Sequence, residues 1–165
     1  MTAPDTAAFR KAMAQFVTGV TVVTVARGSG QVHGMTANAF ASVSLDPQLV
    51  LVCVDHNART HPILREQKRF GINVLREDQH ELAVYFAQVE QDHESGERLG
   101  VKMRMTEKGT PLLVGSLARL ECRLVAAHEA GDHTIFVGEV ERAEIEDGWP
   151  LVFHGGKYQR LARNS

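Results

Sequence analysis

Cysteine is scarce in this chain: two in 165 residues, Cys53 and Cys122, far apart and with no CxxC spacing. Both sit in apolar runs, so they are expected as buried, reduced thiols and not as a disulfide. No apolar run approaches the ~18 residues of a membrane span, so no membrane association is expected. The opening Met1-Thr2-Ala3-Pro4-Asp5 lacks the basic stretch and apolar core of a secretory leader. With the thiols, this points to a cytoplasmic protein. An excess of one charge is missing too: 18 Lys and Arg face 20 Asp and Glu, a net charge of −2. Without a basic stripe, nucleic acid is not an expected partner.

Several signatures of chemistry are also absent. No GxxxxGK[ST], GxSxG or HExxH occurs, so no triphosphate loop, hydrolase elbow or zinc protease is marked. Gly28-Ser29-Gly30-Gln31-Val32-His33 begins like a dinucleotide fingerprint. Its sixth residue is histidine, however, and it joins two strands where the fingerprint needs a strand and then a helix. There are eight histidines, and His56 and His61 flank a turn. No cysteine or carboxylate set completes a ligand shell around them, so no metal site is expected. His80 and His93 fall in polar, helix-like sequence and are expected to be solvated.

What remains is one domain's worth of ordinary globular sequence, 44% apolar and 23% charged. Asp5 can cap a short helix carrying Phe9, Met13 and Phe16 at helical spacing. Val20 to Ala26 (VTVVTVA) reads as a strand. The Arg27–Gly30 turn and a second strand through His33 and Met35 towards Phe40 make a hairpin. Leu49 to Val54 (LVLVCV) suits a strand covered on both faces. A short helix over Thr60–Gln67 starts at His61-Pro62. Phe70 to Leu75 (FGINVL) is a further strand. Glu77 to Gln88 is an amphipathic helix with Leu82, Tyr85 and Phe86 inward. Residues 90–98 read as a solvated loop or fraying helix. Ala118, Leu120, Cys122 and Leu124 alternate with Arg119, Glu121 and Arg123, a strand with one wet face. Thr134 to Ile145 returns antiparallel, and Leu151–Phe153 and Tyr158–Leu161 close the chain. This sum, six or more strands mostly joined by hairpins with a few helices, predicts a mainly β protein rolled into a barrel.

Three segments could carry chemistry. Gly34 to Pro47 is dominated by small and hydroxylated residues where a strand would use bulky ones. That lets a flat ligand approach the backbone, with Thr36, Asn38 and Ser42 able to bond its polar edge; a strand end with a capped turn explains it equally well. Asp55-His56-Asn57-Ala58-Arg59-Thr60-His61-Pro62 offers free backbone N–H groups, a hydroxyl and a guanidinium at a helix start, the makings of a phosphate site. The alternative is an ordinary N-cap by Thr60 with Arg59 solvated. Gly131-Asp132-His133 and Phe153-His154-Gly155-Gly156-Lys157-Tyr158 each put a histidine in a glycine turn, either lining a pocket mouth or decorating turns. The turn reading is the simpler one.

In this order and spacing, these segments resemble the short-chain flavin reductase family, the reductase components of two-component flavin-dependent monooxygenases. The resemblance runs from Phe9 to about Leu161. It is carried by Phe16–Thr24, Gly34–Ser44, Leu45-Asp46-Pro47, Leu49–Val54, Phe70–Leu75, Gly131-Asp132-His133 and Gly156-Lys157-Tyr158. It implies one flavin reductase-like domain over 1–165, an FMN-binding split β-barrel, a homodimer, and FMN or FAD reduced by NADH or possibly NADPH. By position, Thr36, Ala37, Asn38 and Ser42 would contact the isoalloxazine and ribityl chain. Asn57, Ala58, Arg59 and Thr60 would hold the phosphate, and Phe86 would lie near the flavin. His133, as the catalytic residue, would orient the nicotinamide without acting as acid or base, with Tyr158 near the same face. The phosphate segment departs from serine-rich versions of the family, so FMN or FAD both stay open. The reduced flavin would pass to a separate monooxygenase. A tight flavoprotein (an oxidase or ferric reductase) and a non-catalytic flavin-binding module are the alternatives. Hydride transfer to a flavin needs placement and no side-chain nucleophile, so the missing triad and metal set agree with this family.

Overall fold

The apolar strand residues decide the architecture, because β2 (Thr21–Ala26) is buried along nearly its whole length on both faces. In the computed structural model, which describes residues 5–91 and 93–163, alternate valines of this strand point into two different cores. Met1–Pro4 of the opening segment, Asp92 of the polar 90–98 segment, and Asn164 and Ser165 lie outside the described residues. Helix α1 (Thr6–Met13) and strand β1 (Thr18–Gly19) precede β2; β3 (Val32–Ala37), β4 (Phe40–Leu45) and β5 (Gln48–Asp55) follow it. Then come α2 (Thr60–Gln67), β6 (Arg69–Val74), α3 (His80–Phe86), α4 (His93–Arg98), β7 (Met103–Met105) and β8 (Pro111–Leu113). Two long strands, β9 (Ala118–Ala130) and β10 (His133–Ile145), and the short β11 (Val152–His154) and β12 (Lys157–Gln159) complete the chain.

Seven of these strands form an antiparallel sheet in the order β3-β2-β6-β9-β10-β5-β4. Its two edge strands are consecutive in the chain, joined by Asn38 and Ala39 alone, so the sheet must curl until its edges converge. The Cys53 N–H donates to the Ala39 carbonyl at 3.0 Å and pins this junction to β5. The edges converge without pairing. The barrel is therefore a split one, as the family resemblance implies, with β3 left open along its outer side. The first core lies inside the curl, where Val23, Val25, Val52, Val54, Phe70 and Phe136 pack with Leu64 of α2. The second lies on the opposite face of β2, where Val20, Val22 and Leu75 pack under Leu82, Ala83 and Phe86 of α3.

Strand β2 is thus buried on both faces, whereas β5, despite its apolar run, is not. In β5 Val50, Val52 and Val54 are buried under α2, while Leu49, Leu51 and Cys53 are half-buried. Asp5 caps α1 as expected, accepting from the Ala8 N–H at 2.8 Å. The helix nevertheless buries nothing: Phe9, Met13, Phe16 and the following Val17 are all more than half exposed. Helix α3 starts later than the sequence pattern suggests, because residues 76 and 77 are drawn into backbone pairing with 149 and 150. Both cysteines are free, and burial pushes the Cys122 thiol up to about 12, so it stays protonated.

The wet face expected on β9 is partly dry. The short β7–β8 hairpin, absent from the sequence reading, folds over it and buries Glu121. The Glu121 carboxylate accepts from Thr106 Oγ1 at 2.7 Å and from Arg69 Nη2 at 3.2 Å. Burial works against its charge, but the Thr106, Thr110 and Arg69 hydrogen bonds outweigh it and hold the carboxyl below its ordinary range. Asn73 fastens the other side of the hairpin. Its amide donates to the Val22 carbonyl (2.9 Å) and Thr24 Oγ1 (3.0 Å), and its oxygen accepts from the Leu113 N–H at 2.7 Å. Replacing Asn73 by Ala strands the buried Leu113 N–H and removes the amide's bonds to Val22 and Thr24. It should destabilise the fold by about 3 kcal/mol in urea unfolding, and a loss below about 1 kcal/mol would contradict this role.

Candidate functional site

The open edge of β3 is the starting point. Backbone N–H and C=O groups of a strand residue point to the same side, and the side alternates along the strand. The Gly34 carbonyl accepts from Gln91 Nε2 at 2.6 Å, off the sheet. The polar backbone groups of Gly34 and, two residues on, Thr36 therefore face the groove and not β2. Beside them stands the end of α3. Thr36 Oγ1 donates to the Ala83 carbonyl at 2.7 Å and ties the helix to the strand. A Cβ at Gly34 would lie 2.5 Å from the Phe86 ring, so only glycine lets that ring rest on the strand. Further along, Thr36 and Asn38 face Tyr158 and Phe153 across a cleft of about 190 Å³ that ends at Ala87. The Tyr158 ring is held edge-on by His80 (5.0 Å) and tilted against Phe153 (5.4 Å). Burial pushes the Tyr158 hydroxyl up, so it remains a donor.

At the other end of the groove lies the turn leaving β5. The Asn57 N–H donates to Asp55 Oδ1 at 2.7 Å, and the Ala58 N–H to the Asp55 carbonyl at 3.0 Å, which turns the chain into α2. The N-cap of α2 is Arg59, which supplies no side-chain cap, and the first turn carries no acidic residue. Thr60, the alternative cap, sits inside the helix and is fully buried, and its Oγ1 has no hydrogen-bond partner. A buried hydroxyl left unpaired is unfavourable by about 1–3 kcal/mol. Here it stands at an uncapped, positive helix end, where an anion would satisfy both. Asn57, Ala58, Arg59 and Thr60 face Gly34 and Phe86 across a cleft of about 110 Å³, which shares Ala87 with the cleft at Tyr158. The Arg59 guanidinium is already paired with Glu90 at 2.9 Å, but half of it is exposed and free to take a second acceptor.

One groove along β3 thus gathers Thr36, Asn38 and Tyr158 at one end and Asn57 to Thr60 with Phe86 at the other. Other residues singled out in the sequence stand apart from it. The Ala37 side chain packs on the first core, so it could offer a ligand backbone only, and its carbonyl accepts from Thr21 Oγ1 at 2.7 Å. Ser42 is exposed on β4, the opposite edge of the sheet, and lines neither cleft. His133 opens β10 directly across from Asp55, which places it beside the root of the Asn57 turn but outside the groove. Its Nδ1 lies 2.7 Å from Asp132 Oδ1, and that hydrogen bond holds the Asp132 carboxyl below its ordinary range. An ionised carboxylate can only accept, so His133 carries its proton on Nδ1. Asp55, Asp132 and His133 bring one ligating atom each within 4.8 Å of one another, at an exposed rim. His56 and His61, by contrast, tie α2 to the tips of β9 and β10, through Glu129 at 2.9 Å and Thr134 at 2.8 Å. His93 is solvated as expected, whereas exposed His80 also braces Tyr158.

The sequence reading included Gly34 in its small-residue segment but missed Ala87, Glu90 and Gln91. An isolated glycine inside a strand is a signal for close approach, and Gly34 carried it. Gln91 reads as part of a polar loop, and only the fold brings it to the β3 edge.

The family model described as "Flavin reductase like domain" matches residues 13–162. The chain is 46% identical over 155 residues to an FMN reductase (NADH) of Agrobacterium fabrum, covering 94% of this chain and 86% of that one. It is 40% identical over 155 residues to the reductase component of a 4-hydroxyphenylacetate 3-monooxygenase of Thermus thermophilus, covering 93% and 95%. The solved structure of an NADH:FAD oxidoreductase of Streptomyces globisporus superposes with a TM-score of 0.90 at 38% identity, covering 100% of this chain and 98% of that one. The groove fits the group such proteins bind. An unpaired strand edge can take the polar rim of a flat ring, and an orphaned hydroxyl at a bare helix end can take a phosphate. By sequence match and by fold alike, the chain belongs to the flavin reductase-like domain family.

Proposed function

We propose that this protein is an NAD(P)H:flavin oxidoreductase that reduces FMN or FAD with NADH and supplies the reduced flavin to a separate flavin-dependent monooxygenase. The observation that carries this reading is the groove on β3, open along the strand and ending at the unpartnered Thr60 hydroxyl. The overall change is NADH plus a proton plus oxidised flavin giving NAD⁺ and the two-electron-reduced flavin. The bound flavin supplies the hydride acceptor, and the protein supplies position and electrostatics.

Each end of the groove has its task. The Gly34 and Thr36 backbone groups and the Asn38 side chain would fix the ring edge, with N–H donors aimed where negative charge develops on reduction. Thr60 Oγ1, the first N–H groups of α2 and Arg59 would hold the phosphate. Arg59 would have to share or leave Glu90 to do so, and an exposed pair of that kind is worth about 1 kcal/mol or less. That competition suits a flavin that is bound, reduced and released. His133, fixed by Asp132 at the rim, would present Nε2 towards the nicotinamide nucleotide as a positioning group. The absence of a Rossmann unit fits modest nicotinamide affinity.

The partners follow from the same surfaces. The exposed apolar stripe of Phe9, Met13, Phe16 and Val17 supports a homodimer in which a second copy covers α1. No helix is long and apolar enough to cross a membrane, and the expectation of a cytoplasmic location rests on the free thiols.

Under anaerobic conditions, NADH with FMN, FAD or riboflavin should bleach the flavin rapidly and saturably. Flavin binding without bleaching by NADH or NADPH would instead identify a non-catalytic flavin module. His133→Ala should raise KM for NADH about tenfold while kcat and flavin affinity stay nearly unchanged, the pattern of lost uniform binding. An unchanged KM would remove His133 from that role.

A further inference from the structure

The phosphate cleft does not end at Arg59. It opens into a second chamber of about 550 Å³, with which it shares His33, Arg59, Phe86 and Gln91. At about 110 Å³ the cleft has room for little more than a phosphate and the adjoining chain, while the chamber falls in the usual range of small-ligand sites.

The chamber carries two guanidinium groups, of which Arg59 is already paired with Glu90. Arg27 reaches it from the turn between β2 and β3, Arg59 from the start of α2, and His33 lies between them. Burial lowers the pKa of His33, and the positive charges of Arg27 and Arg59 lower it further, so all three groups share one local field. Among the described residues lining the chamber, Glu97 is the sole acid, and it lies 3.7 Å from His93. Tyr85, Phe86, Val101 and Met103 add an aromatic and apolar wall. Two guanidinium groups beside such a wall have the chemistry to bind a phosphate joined to a flat heterocycle.

We propose that this chamber binds an adenosine 5′-phosphate group, that of FAD, and that Arg27 is the residue that distinguishes FAD from FMN. This rests on the flavin groove proposed above. FMN ends at the phosphate cleft, short of Arg27; in FAD the chain continues from that same phosphate. The nicotinamide nucleotide carries the same group. Its reacting ring, however, must meet the flavin ring at the Thr36–Tyr158 end of the groove, and the chamber opens from the opposite end.

The test is to titrate FMN and FAD into the wild-type protein and into Arg27→Gln and Arg27→Glu, and to measure KM for NADH in each. Arg27 is exposed on a turn, and unchanged melting temperatures would show that both variants fold. The wild-type protein should bind FAD more tightly than FMN. Arg27→Gln should weaken FAD about tenfold, as for the loss of one charge-assisted contact to phosphate, and leave FMN within twofold. Arg27→Glu should weaken FAD further. Equal loss for both flavins, or no loss for either, overturns the proposal. A raised KM for NADH with unchanged flavin affinities also overturns it and assigns the chamber to the nicotinamide nucleotide. Failure of the wild-type protein to bind either flavin overturns the groove and the chamber together, whereas equal affinity for both flavins overturns the chamber alone.

Discussion

The structure depends on one unclosed seam. The two edges of the seven-stranded sheet are consecutive strands, joined by Asn38 and Ala39, and they meet without pairing. Closing that seam would satisfy the outer backbone groups of β3 and leave nothing for a ligand to bond. Leaving it open exposes a row of donors and acceptors, which folded proteins ordinarily cover. Here α3 and the residues after it cover the row in part: Thr36 bonds to Ala83, Gln91 bonds to Gly34, and the Phe86 ring packs against Gly34. What stays open is a groove along β3 made of two clefts that share Ala87.

The same logic runs to its far end. Thr60 is buried without a partner, at a helix start that carries no cap and no acid. Native proteins tolerate such groups where a ligand completes them. Arg59, held by exposed Glu90, is the adjustable part, and Thr60 is the fixed part. The chemistry needs little else, since a bound flavin accepts the hydride and the chain need only align it with the nicotinamide. Thr18, Thr60 and Ser116 carry the buried hydroxyls without a partner among the described residues, and of these three Thr60 alone borders the groove. Other buried polar groups are well satisfied, as at Asn73, which makes three buried hydrogen bonds, and Glu121, which sits among Thr106, Thr110 and Arg69.

Local chemistry made much of this legible in the sequence. The β-branched run of β2, the Asp5 cap and the α2 start at Thr60 each follow from a few neighbouring residues, and the structure shows all three, while the alternation of β9 is broken where the β7–β8 hairpin buries Glu121. The two ends of the groove were named as a flat-ligand segment and a phosphate segment. Their joining was not legible, because it depends on Ala87, Glu90 and Gln91, which lie far from both in sequence. LVLVCV in β5 looks like a strand buried on both faces, but period alone does not say whether a second layer exists, and Leu51 and Cys53 are half-buried here. Ser42 shares the small-residue segment with Thr36. The chain crosses from one sheet edge to the other at Asn38 and Ala39, however, so the two residues end on opposite edges. The resemblance to the flavin reductase family supplied the role of His133, which no local pattern carries.

The central claim is that the Thr60 hydroxyl and the bare start of α2 receive the flavin phosphate. The most direct measurement compares the affinities of FMN and riboflavin for the wild-type protein and for Thr60→Val. The account predicts that the wild-type protein prefers FMN. It predicts that Thr60→Val loses about tenfold of that preference, while the ligand-free protein is as stable as before or more so, since an unpaired buried hydroxyl has been removed. The same preference for FMN in both proteins would contradict it.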